Sequence, residues 1–61
     1  MTRKEAETRV EMWLGVSGLT EQKPNYGQAH KLCNLIFNLT DGSEIYTTGF
    51  VYDVWRVLRN E

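Results

Sequence analysis

His30 and Cys33 are the one imidazole and the one thiol of this chain, and their spacing occurs in metal sites. A structural zinc site takes four ligands, commonly His and Cys in pairs. This sequence supplies one of each, so carboxylates or a second subunit would have to complete the set. On a strand, their odd separation also sends the two side chains to opposite faces. The pair therefore reads as a core cysteine beside a surface histidine. As nucleophile and base the same pair fails, because a Cys–His enzyme also needs a cleft and an oxyanion hole. A chain of 61 residues has little room for such a pocket. Gly15-Val16-Ser17-Gly18 lacks the spacing and the Lys-Ser/Thr of a phosphate-binding loop and reads as helix termination. These residues point to a protein that is not an enzyme and uses no cofactor or metal.

Recognition is the chemistry that remains. Arg56 and Arg59, with Tyr52 one turn earlier, could form an exposed arginine–aromatic patch, since Tyr and Arg are common interface anchors. The blander alternative is a solvated helix face with Asp53 paired to Arg56. Tyr26, in a long connection, is a fourth candidate binding residue, unless it and Leu19 pin that connection to the core. Trp13 and Trp55 lie on predicted apolar faces and read as core rather than as ligand platforms.

Composition narrows the classes. The net charge is −1 with both signs interspersed, which gives no strong field toward nucleic acid or anionic membrane. No apolar run reaches membrane-spanning length, and Met1 to Glu7 has no signal-peptide core. The single cysteine excludes an internal disulfide and suits a reducing compartment. The expected location is therefore cytoplasmic. Asn38-Leu39-Thr40 matches a glycosylation acceptor but reads as coincidence there. A domain this small buries only roughly 60% of its unfolded surface, and oligomerisation is a common remedy. A homodimer is accordingly expected. The aromatics Trp13, Tyr26, Phe37, Tyr46, Phe50, Tyr52 and Trp55 are a large apolar load for such a chain, and some suit an interface.

The elements that would position these residues form one small α+β domain spanning 1–61. Thr2-Arg3-Lys4-Glu5 has capping-box spacing. Ala6, Val10, Trp13 and Leu14 then share a helical face, Glu5 and Arg9 have favourable pair spacing, and Gly15 or Gly18 can end the helix. Val10, Met12, Leu14 and Val16 also alternate, so a strand over 9–16 is the rival. Residues 15–29 form a long connection with a turn at Pro24-Asn25. Cys33, Leu35, Phe37 and Leu39 alternate with Leu32, Asn34, Ile36 and Asn38, which predicts a strand. Asp41-Gly42 then reads as a hairpin turn, with Glu44 to Thr48 returning and Phe37 opposite Ile45 in a bulged register. Phe50, Val54 and Leu58, flanked by Val51, Trp55 and Val57, predict a helix over Gly49 to Asn60, with Thr48 as its N-cap. The expected order is α-β-β-α around a central β-hairpin, or β-β-β-α if the first segment is a strand.

The function expected from these features is a small protein–protein interaction module, an inhibitor or adaptor that covers a partner's surface. Such chains suit phages and other mobile elements. A dimeric nucleic-acid-binding regulator using Arg3, Lys4, Arg9, Arg56 and Arg59 is disfavoured by the missing basic excess. A third reading is a small-ligand sensor or sequestering protein, with a Trp- and Tyr-lined site at a dimer interface.

Overall fold

The computed structural model describes residues 1–59. It contains three helices, α1 (Arg3–Val16), α2 (Tyr26–Leu39) and α3 (Thr48–Leu58), and no strand among the described residues. The α+β expectation and its β-hairpin are therefore wrong, and so is the β-β-β-α alternative. The fold is all-helical.

The first helix forms as its sequence predicts. Thr2 Oγ1 accepts from the Glu5 amide at 3.2 Å. Ala6, Val10 and Leu14 are buried, and Trp13 packs partly buried against the core. The ion pair on this helix is Arg3–Glu7 at 3.5 Å, where the spacing predicts Glu5–Arg9. Gly18, at φ 72°, ends the helix. The Leu19 amide then donates to Leu14 O at 2.8 Å, and both side chains enter the core.

The second helix replaces the predicted first strand. Its start lies at Pro24-Asn25, where the sequence predicts a turn: Asn25 Oδ1 accepts from the Gln28 amide at 2.8 Å, and Gln28 Oε1 accepts from the Asn25 amide at 2.9 Å. This reciprocal box satisfies two amides that the first turn would otherwise leave open. Ala29, Leu32, Cys33 and Ile36 follow at i, i+3, i+4 and i+7 and are the buried residues of α2. The alternating set divides instead, with Cys33 buried, Leu35 half-buried, and Phe37 and Leu39 exposed.

Asp41-Gly42 ends this helix rather than turning a hairpin. Asp41 has φ 52° and Gly42 φ 79°. Their amides reach back to Asn38 O at 3.3 Å and Phe37 O at 2.8 Å, which satisfies carbonyls of the last turn. Thr40 Oγ1 donates to Ile36 O at 2.9 Å and accepts from the Glu44 amide at 3.2 Å, holding the start of the next connection.

The third helix starts at Thr48, with Thr47 as N-cap and no side-chain capping bond. Phe50, Val51 and Val54 are buried, Trp55 and Leu58 are half-buried, and Val57 is exposed. Asn60, the predicted last residue of this helix, lies outside the described residues. One apolar cluster draws on all three helices and on Leu19. Among the described residues no polar or charged side chain is buried. α3 packs closely against both other helices, while α1 and α2 meet least. No described helix is long and apolar enough to cross a membrane.

Candidate functional site

The arginine–aromatic patch predicted on α3 is largely committed to the protein itself. Arg59 Nη1 donates to Thr20 O at 3.3 Å and to Glu21 O at 3.0 Å. Its guanidinium also lies 5.2 Å from the Trp55 ring centroid and 3.6 Å from the Glu21 carboxylate. Arg59 thus straps the α1–α2 connection to the end of α3. Tyr52 is half-buried against the core, with the Lys23 ammonium 5.3 Å from its ring centroid. Leu19 and the fully buried Pro24 seat the same connection, whereas Tyr26 is exposed and does not pin it. Arg56 is exposed and pairs with Asp53 at 3.1 Å, as the blander reading of that face anticipated.

Tyr26 stands apart from these three, in a groove of about 320 Å³ between α2 and the segment leading into α3. As the first residue of α2 its position is set by the Asn25–Gln28 box. One turn on, the His30 ring stacks on it, with centroids 5.9 Å apart and planes at 23°. Asn34 Nδ2 lies 3.4 Å from His30 Nδ1. Phe37 follows on the same side, leaning over Gly42. Tyr26, His30, Asn34 and Phe37 thus form one row along α2.

The opposite wall is the chain from Ile45 to Thr48. Tyr46 anchors it, its ring centroid 4.3 Å from that of buried Phe50, while the Arg3 guanidinium lies 5.0 Å from Phe50's centroid. With Tyr46 turned inward, Ile45 points outward and is 77% exposed. Cys33 forms the floor, and burial pushes its thiol above the usual range, only partly opposed by a backbone hydrogen bond. A thiol held in its neutral form is a poor nucleophile and a poor metal ligand. On a helix His30 and Cys33 fall on the same side, and both line this groove, in contrast to the opposite faces a strand would impose. No group of three or more His, Cys, Asp or Glu residues suited to a metal occurs among the described residues.

The groove has an apolar body and a hydrogen-bonding rim of imidazole, carboxamide and hydroxyl groups. No Asp, Glu, Lys or Arg lines it. Tyr26, Phe37 and Ile45 are 68%, 43% and 77% exposed. Large apolar side chains gathered on one uncharged surface are what a contact surface requires. Sequence reasoning singled out Tyr26 but missed His30, Phe37 and Ile45 as surface partners. The i, i+4 spacing of Tyr26 and His30 carried the signal for two of the four, once 26–39 is taken as a helix. Ile45 had none, because its exposure follows from Tyr46 being the anchor.

A second groove, of about 370 Å³, lies where α1 and α2 splay, between Trp13 and Val16 on one side and Leu35 on the other, with Lys31 at its rim. Comparison of the chain with models of known families, with curated proteins and with solved structures finds no match.

Proposed function

We propose that this chain is a non-enzymatic protein–protein interaction module that acts through the uncharged α2 face, as an inhibitor or adaptor covering a partner's surface. The observation that carries the reading is the gathering of Tyr26, Phe37 and Ile45, all exposed, around one groove free of formal charge. Interface cores are depleted in charge and enriched in aromatic residues, and aromatic anchors supply much of the binding energy. The distribution of basic residues supports a protein partner over nucleic acid. Arg3, Arg56 and Arg59 each face a carboxylate, and the net charge is −1, whereas phosphate binding draws on a basic excess. The lone buried thiol supports a reducing, cytoplasmic setting.

The experiment is affinity capture of the tagged chain from source-cell lysate, with and without nuclease, beside the Ile45→Asp variant. Ile45 is exposed, so the variant keeps the fold. The reading expects a protein that survives nuclease and is lost with Ile45→Asp. Partners that vanish on nuclease treatment, or that Ile45→Asp retains, overturn it.

A further inference from the structure

We infer that the occupant of the uncharged α2 face is a second copy of this chain, packed as an antiparallel α2–α2 pair about a two-fold axis. This rests on the interaction reading above and names its partner. In a two-fold interface each patch meets itself, so a charge near the axis is repelled by its own copy. The α2 face avoids that penalty. No Asp, Glu, Lys or Arg lines its groove. The one such residue in α2 is Lys31, and it lies at the rim of the α1–α2 groove instead.

The order of side chains along the face is nearly palindromic. Tyr26, His30, Asn34 and Phe37 run aromatic, polar, polar, aromatic. Laying two copies in opposite directions sets Tyr26 of one beside Phe37 of the other, and His30 of one beside Asn34 of the other. The rings gain offset or edge contact, and the imidazole and carboxamide can exchange hydrogen bonds. The antiparallel arrangement also opposes the helix dipoles. From Tyr26 to Phe37 the seam is about 16 Å long at 1.5 Å per residue. Ile45, exposed beside it, closes the edge.

The size of this face sets the strength. A standard interface takes roughly 800 Å² from each partner, about a fifth of the 4114 Å² this chain exposes. One helix face and a short connection supply less, so the dimer is weak and concentration-dependent.

Sedimentation equilibrium from low micromolar to millimolar concentration tests the pair. The wild type is expected to pass from monomer to dimer. Asn34→Glu and Asn34→Lys, at an exposed helical position, each place a charge about 6 Å along the axis from its own copy. Each variant alone is expected to stay monomeric with native helical circular dichroism, while an equimolar mixture of the two dimerises. Met12→Glu, on the exposed outer face of α1 and away from this groove, is expected to dimerise as the wild type does. A wild type that stays monomeric throughout, or a dimer that survives both Asn34 variants, overturns the inference. The same variants separate it from the broader reading. A monomeric chain that captures a different protein, lost with Asn34→Glu, removes the second copy but leaves the interaction reading standing. A monomeric chain that captures nothing through this face removes both.

Discussion

Gly42 lies beneath the ring of Phe37. A Cβ built on this glycine would meet Phe37 Cζ at 3.1 Å, while the Gly42 amide donates to the Phe37 carbonyl at 2.8 Å. One glycine thus closes α2 and seats the aromatic side chain at one end of the proposed contact face. Gly42→Ala meets both the left-handed backbone and the ring. It should cost about 1–2 kcal/mol from the backbone alone, and the displaced ring should weaken association further. Asp41, a non-glycine residue at φ 52°, should show the opposite sign. Asp41→Gly should stabilise the fold by a few tenths to about 1 kcal/mol, because relief of the left-handed conformation is partly offset by a freer unfolded chain. Urea denaturation of the two variants checks both signs.

The start of α2 should be as sensitive as its end. Asn25→Ala removes the oxygen that accepts from the Gln28 amide and should cost about 1 kcal/mol. Asn25→Asp keeps an acceptor and should retain most of the stability. A drop in melting temperature for the first and near wild-type behaviour for the second is the expected pattern.

Arg59→Ala should release the α1–α2 connection rather than abolish partner binding. The guanidinium holds Thr20 O and Glu21 O, and hydrogen bonds from a charged donor contribute roughly 1.5–3 kcal/mol when well shielded, less at this partly exposed strap. Faster amide hydrogen exchange around Leu19 to Lys23, with retained helical circular dichroism, is the expected result. Arg59→Lys should rescue only in part, since an ammonium cannot reproduce the planar fork.

Cys33 provides a pH test whose sign follows from its surroundings. Burial raises the thiol pKa in the folded state, so the folded state binds the thiol proton more tightly than the unfolded state. The associated stability is fully present below the unfolded thiol pKa and is lost as pH rises through the folded value. Stability should therefore fall on the alkaline side, with a shallower fall in Cys33→Ala. Alkylation at neutral pH should be slow in the folded chain and fast once it is unfolded.

Two helices were legible in the sequence and the middle one was not, for a physical reason visible in its residues. In α1 and α3 the buried positions Ala6, Val10, Leu14 and Phe50, Val54 repeat with the helical period. In 31–39 the odd positions from Cys33 to Leu39 are all apolar while Leu32 and Ile36 alternate with Asn34 and Asn38, so a period of two was as easily counted as the helical one. Ala29, which lies outside that window, and the Asn25–Gln28 box, which lies in what read as a turn, decide in favour of helix. Asp41-Gly42 was equally ambiguous, because positive φ serves both a hairpin loop and a helix terminus. Within the candidate site, Tyr26 was legible as an unclaimed aromatic. The strap made by Arg59 was not, since it joins residues 38 and 39 positions apart in sequence. An arginine near a helix end looks the same in sequence whether it faces a partner or its own chain.

Amide chemical shifts of the isotopically labelled chain, followed as its concentration is raised, test most directly whether two copies of the chain pair through the uncharged α2 face. The account predicts shifts concentrated at Tyr26, His30, Asn34, Phe37 and Ile45, with Arg56 and the outer face of α1 at Met12 unchanged. Shifts centred on Arg56 or Met12, or a spectrum that does not change with concentration, would contradict it.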